Sequence, residues 1–307
     1  MKNALPPHID QPTSILPLAA VIAGPIAMGA SPIFVRLAEV GPFASAFWRV
    51  GLALPFFWLW WYFEQRNHKS PKLEPLSASM KIALWPGVFF AGDLFFWHLS
   101  IMNTSVVNAT FFATLAPIAV VFGAVFFLHE PITRNTLAGL GLAMIGGGLL
   151  LNNTITQSPE HVLGDIYGLI TAVFFAAYML SLKTARAKMA SGKLLFLSTC
   201  ITSLILLATA LIAQDSLWPQ SWRGITSLIS LAVVSQVGGQ GLLAYALGHL
   251  PAIFSSLVIF VEPLSAAVLG WAVLGESINA RQALGGLCII ISLYISRPRK
   301  SRKNSSG

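Results

Sequence analysis

Two carboxylates, Asp93 and Glu262, and one guanidinium, that of Arg49, lie inside long apolar runs of this chain. An ionisable group in such a setting is costly unless it faces a partner or a polar cavity. Arg49 and Asp93 each sit about 10 Å from the same end of their runs, counted at ~1.5 Å per helical residue. Two readings stand side by side: a buried ion pair tying two helices together, with an outward-snorkelling Arg49 as its variant, or a substrate- or proton-binding role for Asp93. Glu262 is the strongest functional candidate because Pro263 follows it and frees a backbone carbonyl nearby, opening a polar notch. Its structural alternative is a carboxyl satisfied by a neighbouring helix. Both acids are candidates for proton coupling.

Uncharged groups of the same runs suit solute binding. Gln236 and Gln240, four residues apart, share a helix face and flank Gly238 and Gly239; they line a polar cavity or bond between close-packed helices. Asn108 carries the same two readings. Trp97, Tyr178 and Tyr245 pair an aromatic face with a polar tip, suited to stacking on a solute ring or holding an ammonium group. Such residues also populate membrane interfaces and cores, and His98, beside Trp97, reads as an interfacial histidine. These groups bind and release; none forms a catalytic set. The six histidines show no metal-ligand spacing and no phosphate-cradling loop is present, so the sequence predicts no enzyme, metal site or cofactor.

Composition defines the elements that carry these groups. The 307 residues are 55% hydrophobic and only 10% charged, with a mean hydropathy of +0.73, far from the balance of a soluble domain. The apolar residues form long runs without alternation, which excludes a barrel and leaves helices, whose backbone satisfies itself in lipid. Spans are predicted at 16–37, 43–63, 81–100, 105–128, 136–151, 164–184, 193–213, 223–248, 253–274 and 281–296. Cys200 and Cys288 fall within runs and imply no disulfide. Residues 1–15 form a polar, Pro-rich cytoplasmic N-terminal segment and 297–307 a basic cytoplasmic tail, and the first span reads as retained rather than cleaved.

Fifteen of the nineteen Lys and Arg residues fall on one side when the N-terminus is placed in the cytoplasm, which predicts a multi-pass plasma-membrane protein with both termini cytoplasmic. The net charge of +8 is therefore topological. Scattered over loops and a tail, it does not make a nucleic-acid surface; the lipid bilayer and a small solute are the predicted partners, and the sequence leaves the oligomeric state open.

The chain also repeats. At a spacing of 146 residues, Pro117 matches Pro263, Leu128 matches Leu274, Glu130 matches Glu276 and Gly139 matches Gly285. Each half, 16–151 and 164–296, then holds five spans. Because five is odd, the second half enters the membrane in the opposite sense, giving an all-α fold of two inverted five-helix repeats around a central cavity. Glu130 and Glu276, at span ends, are expected to cap the helices that follow them rather than to bind solute.

With Phe47-Trp48-Arg49, the Leu115-Ala116-Pro117 to Glu130 block and the Val261-Glu262-Pro263 to Glu276 block in view, the chain resembles the EamA-type ten-helix exporters of the drug/metabolite transporter superfamily. The resemblance implies a plasma-membrane metabolite exporter working by alternating access, with amino acids, aromatic ones included as in YddG-type exporters, foremost among its substrates. Cationic drugs, purines and other metabolites are the alternative cargo. An intramembrane enzyme lacks the residues it would need, and a receptor or scaffold would not need an inverted duplication.

Overall fold

The computed structural model describes residues 15–67, 75–104, 109, 112–150, 162–274 and 278–297. No strand occurs among them. Their helices form ten rods in chain order. In the first half these are α1 (Leu16–Arg36, broken after Met28), α2 (Pro42–Arg66, broken after Gly51), α3 (Leu76–Asn103), α4 (Ala116–Leu128) and α5 (Arg134–Leu150). The second half supplies α6 (Val162–Arg186), α7 (Ser191–Ile212), α8 (Trp222–Leu247), α9 (Ala252–Val258 continued by Val261–Leu274) and α10 (Ala280–Ser296).

Seven of the described helices are long and apolar enough to cross a membrane, and α4 and α10 are shorter apolar rods. The third rod starts at Leu76, before the expected 81, and carries Lys81 within its first two turns, where a long side chain reaches back to the interface. Large apolar side chains such as Phe126, Phe127, Leu204 and Ile212 are exposed on the outside of the bundle, as a lipid-facing surface requires.

The packing repeats with the sequence. Helix α3 of the first half lies against α6, and its counterpart α8 lies against α1; α4 packs on α6 as α9 packs on α1. Three contacts join counterparts directly: α2 with α7, α4 with α9, and α5 with α10. Within these pairs the helices run antiparallel. Gly51 approaches Ser203 while Gly192, near the start of α7, approaches Trp60 and Trp61 near the end of α2. Gly139 meets Ser292 and Ser296, whereas Gly146 meets Gly285, so the start of each of α5 and α10 touches the end of the other. A repeat whose equivalent helices oppose one another is an inverted repeat.

Close approach explains the glycines at this last crossing. A Cβ on Gly146 would lie 2.7 Å from the Gly285 carbonyl oxygen, and one on Gly285 2.7 Å from that of Gly146. In lipid no hydrophobic force draws helices together, so association rests on such backbone-to-backbone packing.

Carboxylates join the halves end to end. His129, in the left-handed region at φ 54°, closes α4 and turns Glu130 away from its own chain direction. The Glu130 carboxylate then accepts from the Ala252 and Ile253 N–H groups at 2.8 and 3.1 Å. The expectation that Glu130 caps the helix after it is thus corrected: it caps α9, in the other half, because the packing of α4 against α9 brings that helix start closer than its own successor. Glu276 lies outside the described residues. Glu64 at the end of α2 accepts from the Gly192 N–H at 2.7 Å, and Asp215 beyond α7 accepts from the Ala44 N–H at 2.9 Å. At the Glu130 end, Lys183 donates to the Leu250 carbonyl at 2.7 Å, and Arg186 donates to the Ala244 carbonyl at 3.2 Å and to that of Met189.

Replacing Glu130 by Ala strips two helix-start N–H groups of their acceptor. The expected cost is about 1–2 kcal/mol, read as a lower midpoint of thermal unfolding in detergent. An unchanged midpoint would remove the carboxylate's role as a link between the halves.

Candidate functional site

Four helices depart from regular α geometry around one space, and the break of α2 after Gly51 lies outside its lining. Proline causes three of the four departures, since it gives up one backbone hydrogen bond and crowds the preceding turn. Helix α1 breaks at Gly29–Ala30, before Pro32. The rod containing Pro117 is interrupted at Thr114–Leu115, and α9 at Ile259–Phe260 ahead of Pro263; these last two breaks recur at the repeat spacing to within one residue. The fourth departure is a π-helical stretch in α8, Leu231–Gln240, a geometry found mostly at functional sites.

Between these interruptions lies a cavity of about 100 Å³. Glu262 stands ten residues into its rod, roughly 15 Å along and so near the middle of a ~30 Å hydrocarbon core. Both halves supply the walls. Helix α2 contributes Arg49, α3 contributes Asp93 and Trp97 one turn apart, and the broken stretch of α1 contributes Met28, Gly29, Ser31 and Pro32. From the other half come Phe175 and Thr171 of α6, Gln240 of the π stretch, and Glu262 with Pro263 of α9. Gly29 lets α1 and α9 meet here: a Cβ on it would fall 2.7 Å from the Glu262 carbonyl oxygen and 2.8 Å from the Ser265 Cβ.

The charged groups are placed as follows. Arg49 is 6% exposed and donates from Nε to Gln236 Oε1 at 3.0 Å, across 187 residues of sequence. Of the readings open for these two residues, the ion pair between Arg49 and Asp93 is not formed, since the rotation of α2 carries the guanidinium toward the π stretch of α8 instead. Asp93, 7% exposed, lines the cavity with Glu262, and no described side chain hydrogen-bonds or ion-pairs with either carboxylate. Arg49 lines the same cavity, and no ion pair joins its guanidinium to either carboxyl group. Among the described residues neither end of the Gln240 amide has a hydrogen-bond partner, and its oxygen is buried.

Of the residues singled out from sequence, Asp93, Trp97, Gln240 and Glu262 meet at the cavity. Gln236 is 1% exposed and reaches it only through Arg49. Tyr178 is buried behind the wall, stacked on Phe90 at 4.7 Å and against Phe175 at 6.0 Å. Tyr245 stands away from the cavity, near the Glu130 end, with its ring 4.6 Å from that of His249. Asn108 lies outside the described residues. His98 faces neither lipid nor solvent: it is 2% exposed, with Nδ1 2.6 Å from the Leu94 carbonyl oxygen and Nε2 3.4 Å from Ser45 Oγ, because α2 packs over that face of α3. The sequence reading passed over Phe175, Thr171 and Thr114, which carry no charge to mark them. The Thr114 break had one available signal, its position three residues before a proline that the repeat duplicates.

An inverted helical repeat whose interrupted helices enclose a midplane cavity is the architecture of a secondary transporter. The EamA-like transporter family model matches residues 15–152 and again 162–297, and the chain belongs to that family. It is a multi-pass membrane transporter, not an enzyme. It is 25% identical over 226 residues to an uncharacterised transporter of Haemophilus influenzae, covering 71% of this chain and 74% of that one. It is 26% identical over 215 residues to the pseudopaline exporter CntI of Pseudomonas aeruginosa, covering 70% and 74%. The uncharacterised inner membrane transporter YhbE of Escherichia coli is 26% identical over 181 residues, 56% of this chain and 54% of its own. A solved crystal structure superposes with a TM-score of 0.74 at 13% identity over 91% of this chain and 96% of the other, a likeness of fold.

Proposed function

We propose that the chain exports small organic metabolites across the plasma membrane by alternating access, and that amino acids, aromatic ones included, are its foremost cargo. The observation that carries this reading is the midplane cavity in which both signs of charge meet two aromatic faces, those of Trp97 and Phe175. A zwitterion with an apolar body uses all of them. Both termini are assigned to the cytoplasm, on the side that holds fifteen of the Lys and Arg residues. A relative named for metabolite export supports the direction. Solute enters from the cytoplasm, and the halves rock to release it outside, either down its gradient or in exchange for protons taken up through Glu262 or Asp93.

Purified protein in proteoliposomes preloaded with radiolabelled amino acids tests the reading, with efflux followed with and without a pH gradient. Efflux of at least one amino acid above that from empty vesicles is expected, and none for any amino acid removes them as cargo. In the Glu262→Gln variant the response to the gradient is expected to fall severalfold while counterflow exchange persists. A response equal to that of the unaltered protein assigns proton coupling elsewhere.

A further inference from the structure

Resting on the exporter reading, we infer that the cavity holds a subsite for a protonated amine, built by Asp93 and Glu262, and that the ammonium group rather than a carboxylate is the feature every substrate must carry. Charge balance is the first reason. Among the described residues, the ionisable side chains lining the cavity are two carboxyl groups and a single guanidinium, so with both acids ionised a ligand bringing positive charge balances the site and an anion worsens it. The second reason is unused hydrogen-bonding capacity. Ionised carboxylates only accept, and no described donor reaches either acid, although Asp93 is more than nine-tenths buried. Buried polar groups in native proteins are nearly all satisfied; two such acids facing one space mark it as the seat of a donor.

Arg49 does not fill that role, because Gln236 holds its Nε from the far side. An ammonium group supplies three donors on one positive atom. The Gln240 amide, bonded to none of the described residues, can turn its oxygen inward as a further acceptor at no cost to another hydrogen bond. Trp97, on the same wall as Asp93, offers a π face of the kind that attracts ammonium groups. The remaining N–H groups of Arg49 can take a carboxylate where the substrate has one, so amino acids and simple amines both fit and simple carboxylic acids do not.

Three probes of one skeleton decide it: 2-phenylethylamine, phenylalanine and 3-phenylpropionate, titrated by calorimetry into the full-length protein in nanodiscs. The two amines are expected to bind, with 3-phenylpropionate at least tenfold weaker. Asp93→Asn and Glu262→Gln should each weaken 2-phenylethylamine about tenfold or more, the size of one charge-assisted hydrogen bond. Gln240→Leu, which removes a buried amide without a partner and so leaves folding intact, should weaken it severalfold. The Gly141→Ala variant, at a position with nothing within 4 Å, should bind as the unaltered protein does. The inference is overturned if 3-phenylpropionate binds as tightly as the amines, if neither amine binds, or if folded acid variants keep full affinity. Equal efflux of amino acids and their des-amino analogues would overturn the subsite alone. Amine binding without amino-acid efflux would overturn the cargo and leave the subsite.

Discussion

Exchanging Arg49 for Met is expected to cost about 3–5 kcal/mol of stability, the penalty for removing one member of a buried charged group, and to abolish transport. Two effects add. The Gln236 carbonyl oxygen loses its donor at a position 1% exposed, and Asp93 and Glu262 are left in one cavity with no countercharge. The double variant Arg49→Met/Glu262→Gln should regain part of the stability, because one of the two like charges is gone; two changes that share a site do not add independently. Thermal unfolding in detergent, run on the single and double variants together, measures both numbers. A single variant as stable as the unaltered protein, or a double variant less stable than the single, would show that the three charges do not form one group.

The second large effect lies outside the cavity lining, at the crossing of α5 and α10. Gly146→Val or Gly285→Val places a branched side chain where even a Cβ would sit 2.7 Å from an opposing carbonyl oxygen. The backbones must separate, at an expected loss of about 2–3 kcal/mol or more. Gly141 and Gly148 are on the same helix, but a Cβ on either would have nothing within 4 Å, and Ala at either should leave stability unchanged or slightly raise it through helix propensity. Four midpoints of thermal unfolding suffice. Equal losses at Gly146 and Gly148 would mean that helix propensity, not the crossing, sets the outcome.

The architecture was legible in the sequence to the extent that lipid dictates it. Apolar runs that cannot leave a backbone group unpaired have to be helices, and the doubled Pro-to-Glu block announced the repeat before any packing was known. Asp93 and Glu262 were legible for a related reason: acids are so costly in hydrocarbon that their presence points to a purpose. What the sequence withheld depends on rotation about helix axes. Arg49 and Asp93 sit at similar depth, yet a turn of α2 sends the guanidinium to Gln236 instead. Trp97 and Tyr245 are both polar-tipped aromatics inside spans, and only the fold separates the one on the cavity wall from the one near the Glu130 end. The Glu130 carboxylate was recognised as a cap, but the identity of the helix it caps is a matter of packing between halves.

The scaffold is duplicated, and Glu130 with it as Glu276, while the charges of the cavity are not. At the repeat spacing, Arg49 answers to Leu195, Asp93 to Gly239 and Glu262 to Ala116, and at the Glu130 end Lys183 and Arg186 answer to Leu37 and Val40. A seesaw with identical arms rests level; this one carries its weights on one arm. If the two halves trade shapes during transport, matched stretches of backbone exchange places and contribute little to the difference between the end states, except where a proline such as Pro32 answers to Tyr178. The preference for one opening is then set by a handful of unmatched side chains, and a single substitution among them can tilt the resting position without disturbing the frame.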